Sequence, residues 1–140
     1  MLDAQMVQQA NKLLETSHSF LLSTNDRNGF PNTIVVSKPI LRVSFHQLHF
    51  YVDGEGQTAE NIQRNNKGNI CCYDESGYES LLLKGIFSCT SITAFPLIEA
   101  RLTEYQKQLT HVNPVILSFE TYTVTVHAKA KTIQRTFNEK

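Results

Sequence analysis

The sequence predicts a mainly β protein, a six-stranded antiparallel barrel with flanking helices in a single domain spanning residues 1–140. Three observations lead there. Six runs are rich in β-branched and aromatic residues, most are joined by short turns rich in Gly, Asn, Asp and Pro, and only a few short stretches carry helical periodicity. Closing such a sheet into a barrel also removes exposed strand edges.

The chain opens with an amphipathic helix, because Leu2, Met6, Ala10, Leu13 and Leu14 recur at three-to-four spacing. SFLLST (19–24) and NTIVVSKPI (32–40) flank NDRNGFP (25–31), which reads as strand, turn, strand. QLHFYV (47–52) is the third strand. NICCYD (69–74) and SLLLKGIFSCTS (80–91) form a further hairpin around ESGYE. A second helix is expected through Phe95, Ile98, Leu102, Tyr105 and Leu109, with Pro96 near its start, where proline is tolerated. After Asn113-Pro114, VILSFE leads into TYTVTVHAKAK, where Tyr122, Val124, Val126, Ala128 and Ala130 share one face and Thr123, Thr125, His127, Lys129 and Lys131 the other. The tail QRTFNEK is expected to fray.

Composition narrows the function. Hydrophobic residues are 41% and charged residues 19%, as in globular domains. Thirteen basic residues balance thirteen acidic ones, so no global field draws nucleic acid or anionic lipid, and any phosphate site must be local. Cys71, Cys72 and Cys89 are odd in number, two are adjacent, and no CxxC occurs, which argues against a disulfide framework. MLDAQMVQQANKLLE lacks the basic start and apolar run of a signal peptide, and no apolar stretch reaches the roughly 20 residues of a membrane span. The expected location is cytoplasmic.

The stretch GEGQTAENIQRN (54–65), directly after LHFYVD, carries the chemistry. Gly54 and Gly56 suit a sharp turn, Thr58 suits a helix cap, Ala59 and Ile62 suit an inner face, and Arg64 lies near the helix end. A helix start presents unpaired N–H groups and partial positive charge, so it can hold a phosphate without lysine. A capped helix after a tight turn has the same pattern, and Glu55 and Glu60 carry the wrong charge for an anion site.

In the order of these segments the chain resembles the FMN-binding split-barrel superfamily, which includes pyridoxamine 5'-phosphate oxidases and small FMN-binding proteins. The likeness lies in FLLSTNDRNGFPNTIVVSK, then LHFYVDGEGQTAENIQRNNKGNICCYD, then SLLLKG. It implies a homodimer with FMN in a cleft at the subunit interface. By position, Thr33, Ile34, Val35, Val36 and Lys38 would line the flavin ring and ribityl chain. Tyr51 and Val52 would lie at the end of the third strand, Gln57 and Thr58 would be the phosphate-binding pair, and Ser80 would approach from SLLLKG. The oxidases carry Arg-Lys where this chain has Gln57-Thr58, and Lys38, Lys84 or a partner's basic residue would have to replace the charge. Nothing matches the oxidases' C-terminal arginine and histidine, so pyridoxamine phosphate oxidation is not expected.

Other constellations carry less. Cys71 and Cys72 point to opposite faces of a strand and do not suit one metal, so one is expected in the core and the other at a cleft or interface. No nucleophile motif occurs, and Phe45, Phe50, Phe87, Phe119 and Tyr51 read as core. The leading reading is therefore a flavin-dependent oxidoreductase or electron carrier with a small-molecule substrate or redox partner. The alternative is a split barrel that has lost flavin and serves as a binding or interaction module, for haem or another planar ligand, with His18, His46, His49, His111 and His127 as candidate axial ligands.

Overall fold

The computed structural model describes residues 4–91, 98–108, 113–128 and 131–136. Helix α1 (Ala4–Thr16) precedes β1 (Ser19–Asn25), β2 (Pro31–Ser37), β3 (Leu41–Val43) and β4 (Gln47–Asp53). Helix α2 (Gln57–Arg64), β5 (Lys67–Asp74) and β6 (Glu79–Ser91) follow, then α3 (Glu104–Gln108), β7 (Pro114–Ala128) and β8 (Lys131–Thr136).

The described strands number eight, not six, and form one antiparallel sheet in the order β2-β1-β5-β6-β7-β4-β3, with β8 also on β7. That path does not close on itself, as fits a split barrel and not a fully closed one. The two additional strands lack the pattern used to find the others. β3 has three residues, and all six residues of β8 are exposed, so neither shows apolar alternation. KTIQRT pairs with Thr123–Ala128, so the beginning of the tail is held and not frayed; residues 137–140 lie outside the described part.

Alternation builds the core. Phe20 and Leu22 of β1, Leu48 and Phe50 of β4, Ile70 and Cys72 of β5, and Leu81 and Leu83 of β6 all point inward. Met6, Ala10, Leu13 and Leu14 of α1 cover one end, as the helical spacing indicates; Leu2 lies outside the described residues. Phe20 meets Phe50 edge-on with ring centroids 6.0 Å apart, and Phe87 meets Phe119 at 4.7 Å, within the favourable range for aromatic pairs. Tyr51 departs from the expected aromatic core and is half-buried on the opposite face of β4.

VILSFE and TYTVTV are one strand whose phase changes midway. Val115, Leu117, Phe119 and Thr121 are buried, then Val124 and Val126, while Tyr122 is exposed. The expected face uniting Tyr122 with Val124 is therefore wrong. The cause is a bulge: Lys84 pairs with Thr123 and Gly85 with Thr121, leaving Tyr122 as the extra residue. Gly85 permits this close approach. A Cβ on it would lie 2.1 Å from the Glu120 carbonyl oxygen and 2.8 Å from Phe119 Cζ.

The second helix is also not continuous. Leu102 and Thr103 interrupt it, and α3 begins at Glu104. Thr103 Oγ1 accepts from the Gln106 N–H (3.2 Å) while Gln106 Oε1 accepts from the Thr103 N–H (2.9 Å). This reciprocal capping box starts a new helix. Phe95, Pro96 and Leu109 fall outside the described residues.

Cys72 is the core cysteine and Cys71 is half-exposed, with no disulfide among the described residues. Burial pushes the Cys72 thiol up to about 12 and raises Cys71 and Cys89 as well. Two outcomes follow. A thiol reagent at pH 8 modifies exposed Cys89 first and Cys72 only after unfolding, which mass spectrometry of partly labelled protein reads directly. Gly85→Ala lowers stability by about 3 kcal/mol or more in denaturant melts, because backbone on both strands must move; an unchanged midpoint would contradict the contact.

Candidate functional site

The turn after β4 is built on a carboxylate and a close approach. Asp53 Oδ1 accepts the Glu55 N–H at 3.0 Å and the Asn113 N–H at 3.2 Å. The Gly54 N–H donates to the Asn113 carbonyl at 2.7 Å, and a Cβ at Gly54 would lie 2.9 Å from Val115 Cγ1 and 3.0 Å from that carbonyl. Gly54 is thus required for room. Neither Gly54 nor Gly56 takes the positive φ that a glycine-rich turn invites; Gly56 is extended at φ −79 and ψ 167.

Gly56, and not Thr58, is the N-cap of α2, and no side chain caps it. The helix starts two residues earlier than expected, which places Thr58 inside its first turn and buries it. The Glu60 N–H makes the first helical bond, to the Gly56 carbonyl at 3.2 Å, so the N–H groups of Gln57, Thr58 and Ala59 have no acceptor within the helix. Partial positive charge collects at that end.

Asn61, fully buried, anchors the helix. Its Nδ2 donates to Thr24 Oγ1 at 3.1 Å, while its Oδ1 accepts from Gln57 Nε2 at 2.8 Å and Arg64 Nη2 at 3.0 Å. Arg64 also donates to the Asn25 carbonyl at 2.9 Å. The network ties α2 to the end of β1. Sequence reading missed it, although a lone asparagine between Ala59 and Ile62 on the inner face was a usable signal.

Between α2, β2 and the end of β4 lies a cleft of about 340 Å³, lined by Ile34, Val35, Val36, Ser37, Tyr51, Val52, Asp53, Gly56, Gln57 and Thr58. The strand residues supply an apolar wall and the helix supplies its amide end. Of the expected site residues, Ile34, Val35, Val36, Tyr51, Val52, Gln57 and Thr58 meet here. Thr33 does not line it; its hydroxyl pairs with that of Ser23 at 2.8 Å. Lys38 lines an adjoining hollow with His18, Ser19, Val35, Val36, Ser37 and Thr103, and its ammonium donates to the Glu15 carbonyl at the end of α1. Ser80 sits on β6 between Tyr73 and His127 and is not part of the cleft lining. Lys84 is exposed on the same strand.

Ser37, Asp53 and Gly56 line the cleft without having been expected there, and Gln106 supports it from outside. Asp53 closes the third expected strand and brings a carboxylate. Gln106 of α3, buried, donates to Ser37 Oγ at 2.7 Å and so fixes the end of β2; the T-x-x-Q spacing from Thr103 would have revealed its helix. The Tyr51 phenol is held above its ordinary pKa, chiefly by burial and then by the negative charges of Asp53 and Glu99. The scattered histidines serve other contacts: His49 Nδ1 pairs with Ser118 Oγ at 2.8 Å and His127 Nδ1 with Thr132 Oγ1 at 2.7 Å. His111 lies outside the described residues. Among the described residues no group of His, Cys, Asp and Glu is placed to hold a metal.

No protein-family model matches the sequence, and no curated protein is similar to it at a significant level. Solved structures are similar in fold. A protein related to general stress protein 26 of B. subtilis, of the pyridoxinephosphate oxidase family, from Clostridium acetobutylicum, superposes with a TM-score of 0.80 at 18% identity over 98% of each chain. A pyridoxamine 5'-phosphate oxidase-related, FMN-binding protein from Nostoc punctiforme matches at 0.63 and 16% identity, over 97% of this chain and 95% of its own. A haem-binding protein from Mycobacterium smegmatis matches at 0.73 and 12% identity, over 97% of this chain and 60% of its own. What is shared at these identities is the fold. The open antiparallel sheet with its flanking helices is the split-barrel fold that these structures share.

Asn61→Leu removes the buried partner of Thr24, Gln57 and Arg64, and is expected to cost about 1–3 kcal/mol in chemical denaturation. Amide exchange in 57–64 should rise more than in β6, since the lost bonds hold α2 alone.

Proposed function

We propose that this chain binds FMN in the cleft between β2, the end of β4 and the start of α2, and works as a flavin-dependent oxidoreductase or electron carrier. The observation that carries this reading is the meeting of an apolar strand wall and unpaired helix-start amides in one cleft of suitable form. Their chemistry fits the group: Ile34, Val35, Val36 and Val52 offer contact to a planar ring, Tyr51 an amphipathic edge, and the first turn of α2 N–H groups for the phosphate. Bound FMN would supply hydride or single-electron transfer, which no side chain of the cleft can perform. The chain's own part is to orient the ring, screen it from water and hold the Tyr51 phenol protonated beside it. The shared fold with an FMN-binding protein supports the same reading. Thr33, Lys38 and Ser80 do not line the cleft of one chain; a cytoplasmic homodimer with a small-molecule substrate or redox partner belongs to the proposal. No described helix is long and apolar enough to cross a membrane.

Titration of FMN into purified protein, followed by flavin fluorescence, is expected to give a Kd in the micromolar range or below. Val35 is 67% exposed, so Val35→Asp should leave the melting temperature in place. It should weaken FMN at least about tenfold by setting a charge against the ring. Absence of binding by the unaltered protein would remove the flavin assignment.

A second reading, binding of haem or another planar ligand by a barrel without flavin, draws on the fold shared with a haem-binding protein and on His18, which lines the hollow adjoining the cleft. It predicts a Soret band on haem addition that His18→Ala abolishes.

A further inference from the structure

A second hollow, of about 360 Å³, shares no residue with the cleft described above and stands independently of the flavin reading. It opens beside α1, over one end of β6, β7 and β8. The strand register lays out its floor. Ser80 pairs with His127, and one further step of that register sets Glu79 opposite Ala128, which itself pairs with Lys131. Glu79, Ala128 and Lys131 therefore stand in one row across three strands, and Leu81, Val126 and Ile133 form the next row on the same face. Met6 and Gln9 of α1 make the side wall.

The outer row holds a carboxylate at one end and an ammonium at the other, and Ala128 between them leaves a trough. Gln9 Nε2 donates to Glu79 Oε2 at 2.9 Å, which ties the half-buried carboxylate to α1. Its other oxygen takes no hydrogen bond from a described residue. Among the described residues neither Glu79 nor Lys131 takes part in an ion pair. The second row brings apolar surface beside these charges. Val126 is buried, whereas Ile133, directly opposite it, stays 38% exposed.

Spacing limits what can fill the row. Strands lie about 4.8 Å apart, so side chains standing upright two strands from each other are about 10 Å apart. A charge-assisted hydrogen bond of about 2.8 Å at each end leaves about 4 Å between the two ligand atoms that meet these groups. That span fits an ammonium and a carboxylate carried on one carbon. A substituent on the same carbon then lies over Val126, Ile133 and Met6, where an apolar group loses contact with water.

We propose that this hollow binds a free α-amino acid with an apolar side chain, its ammonium on Glu79, its carboxylate on Lys131 and its side chain over Val126, Ile133 and Met6.

The test is an NMR titration of the full chain with L-leucine, run beside 4-methylpentanoate, which lacks the ammonium, and 3-methylbutylamine, which lacks the carboxylate. Amide shifts centred on Val126 and Ile133, with a Kd of about 1 mM or tighter, are expected for leucine. Each single-charge analogue should bind about fivefold more weakly or worse. Lys131→Gln, at an exposed position, should keep the melting temperature and weaken leucine by a similar factor. Ala128→Leu fills the trough and should remove binding. No shifts at about 20 mM leucine would overturn the inference. So would analogues that bind as well as leucine, which would leave only an apolar surface. Shifts at the same residues that grow with protein concentration alone would also overturn it, because a second copy of the chain would then cover the hollow.

Discussion

A single carboxamide holds the candidate-site end of this molecule together. Asn61 is out of contact with water and bonded through both of its atoms, to Thr24 at the end of β1 and to Gln57 and Arg64 within its own helix. A buried amide without partners is costly, so the helix has one favourable seat on the sheet. That seat directs the free N–H groups of its first turn toward β2. The cleft exists because a helix of eight residues, too short to be stable alone, is held in place at one buried point.

The sheet beneath depends on a different constraint. β7 lies against β4 and β6 in its first half and against β6 and β8 in its second. The bulge at Tyr122 lets one strand serve both arrangements, because the extra residue resets which side chains face the core. Gly85 makes room for it. Without the reset, the two halves of β7 could not both bury apolar side chains.

The sequence was most legible where period and burial coincide. β1, β4, β5 and β6 were placed within two residues because their inward positions alternate without interruption. Alternation says nothing about strands held by backbone bonds alone, and β3 and β8 were lost for that reason. The unbroken helix through Leu102 was read from apolar spacing alone, although Thr103 and Gln106 carried a stronger signal for a new start. At the candidate site, strand positions and the Gln57-Thr58 pair were legible from their order along the chain. The destinations of Lys38 and Gln57 were not: their polar ends go to a carbonyl on α1 and to Asn61, and such choices depend on what the fold brings within reach.

Strand β2 ends the hydrogen-bonded path of the sheet, with β1 on one side and no described strand on the other, and Val35 stands out from it into solvent. Open edges with apolar side chains are the usual starting point of strand-to-strand aggregation. Since the cleft lies along this same strand, whatever molecule fills it also shields the edge. The yield of soluble protein from an expressing cell would then track the supply of that molecule, and a preparation stripped of it would be the one to cloud on concentration.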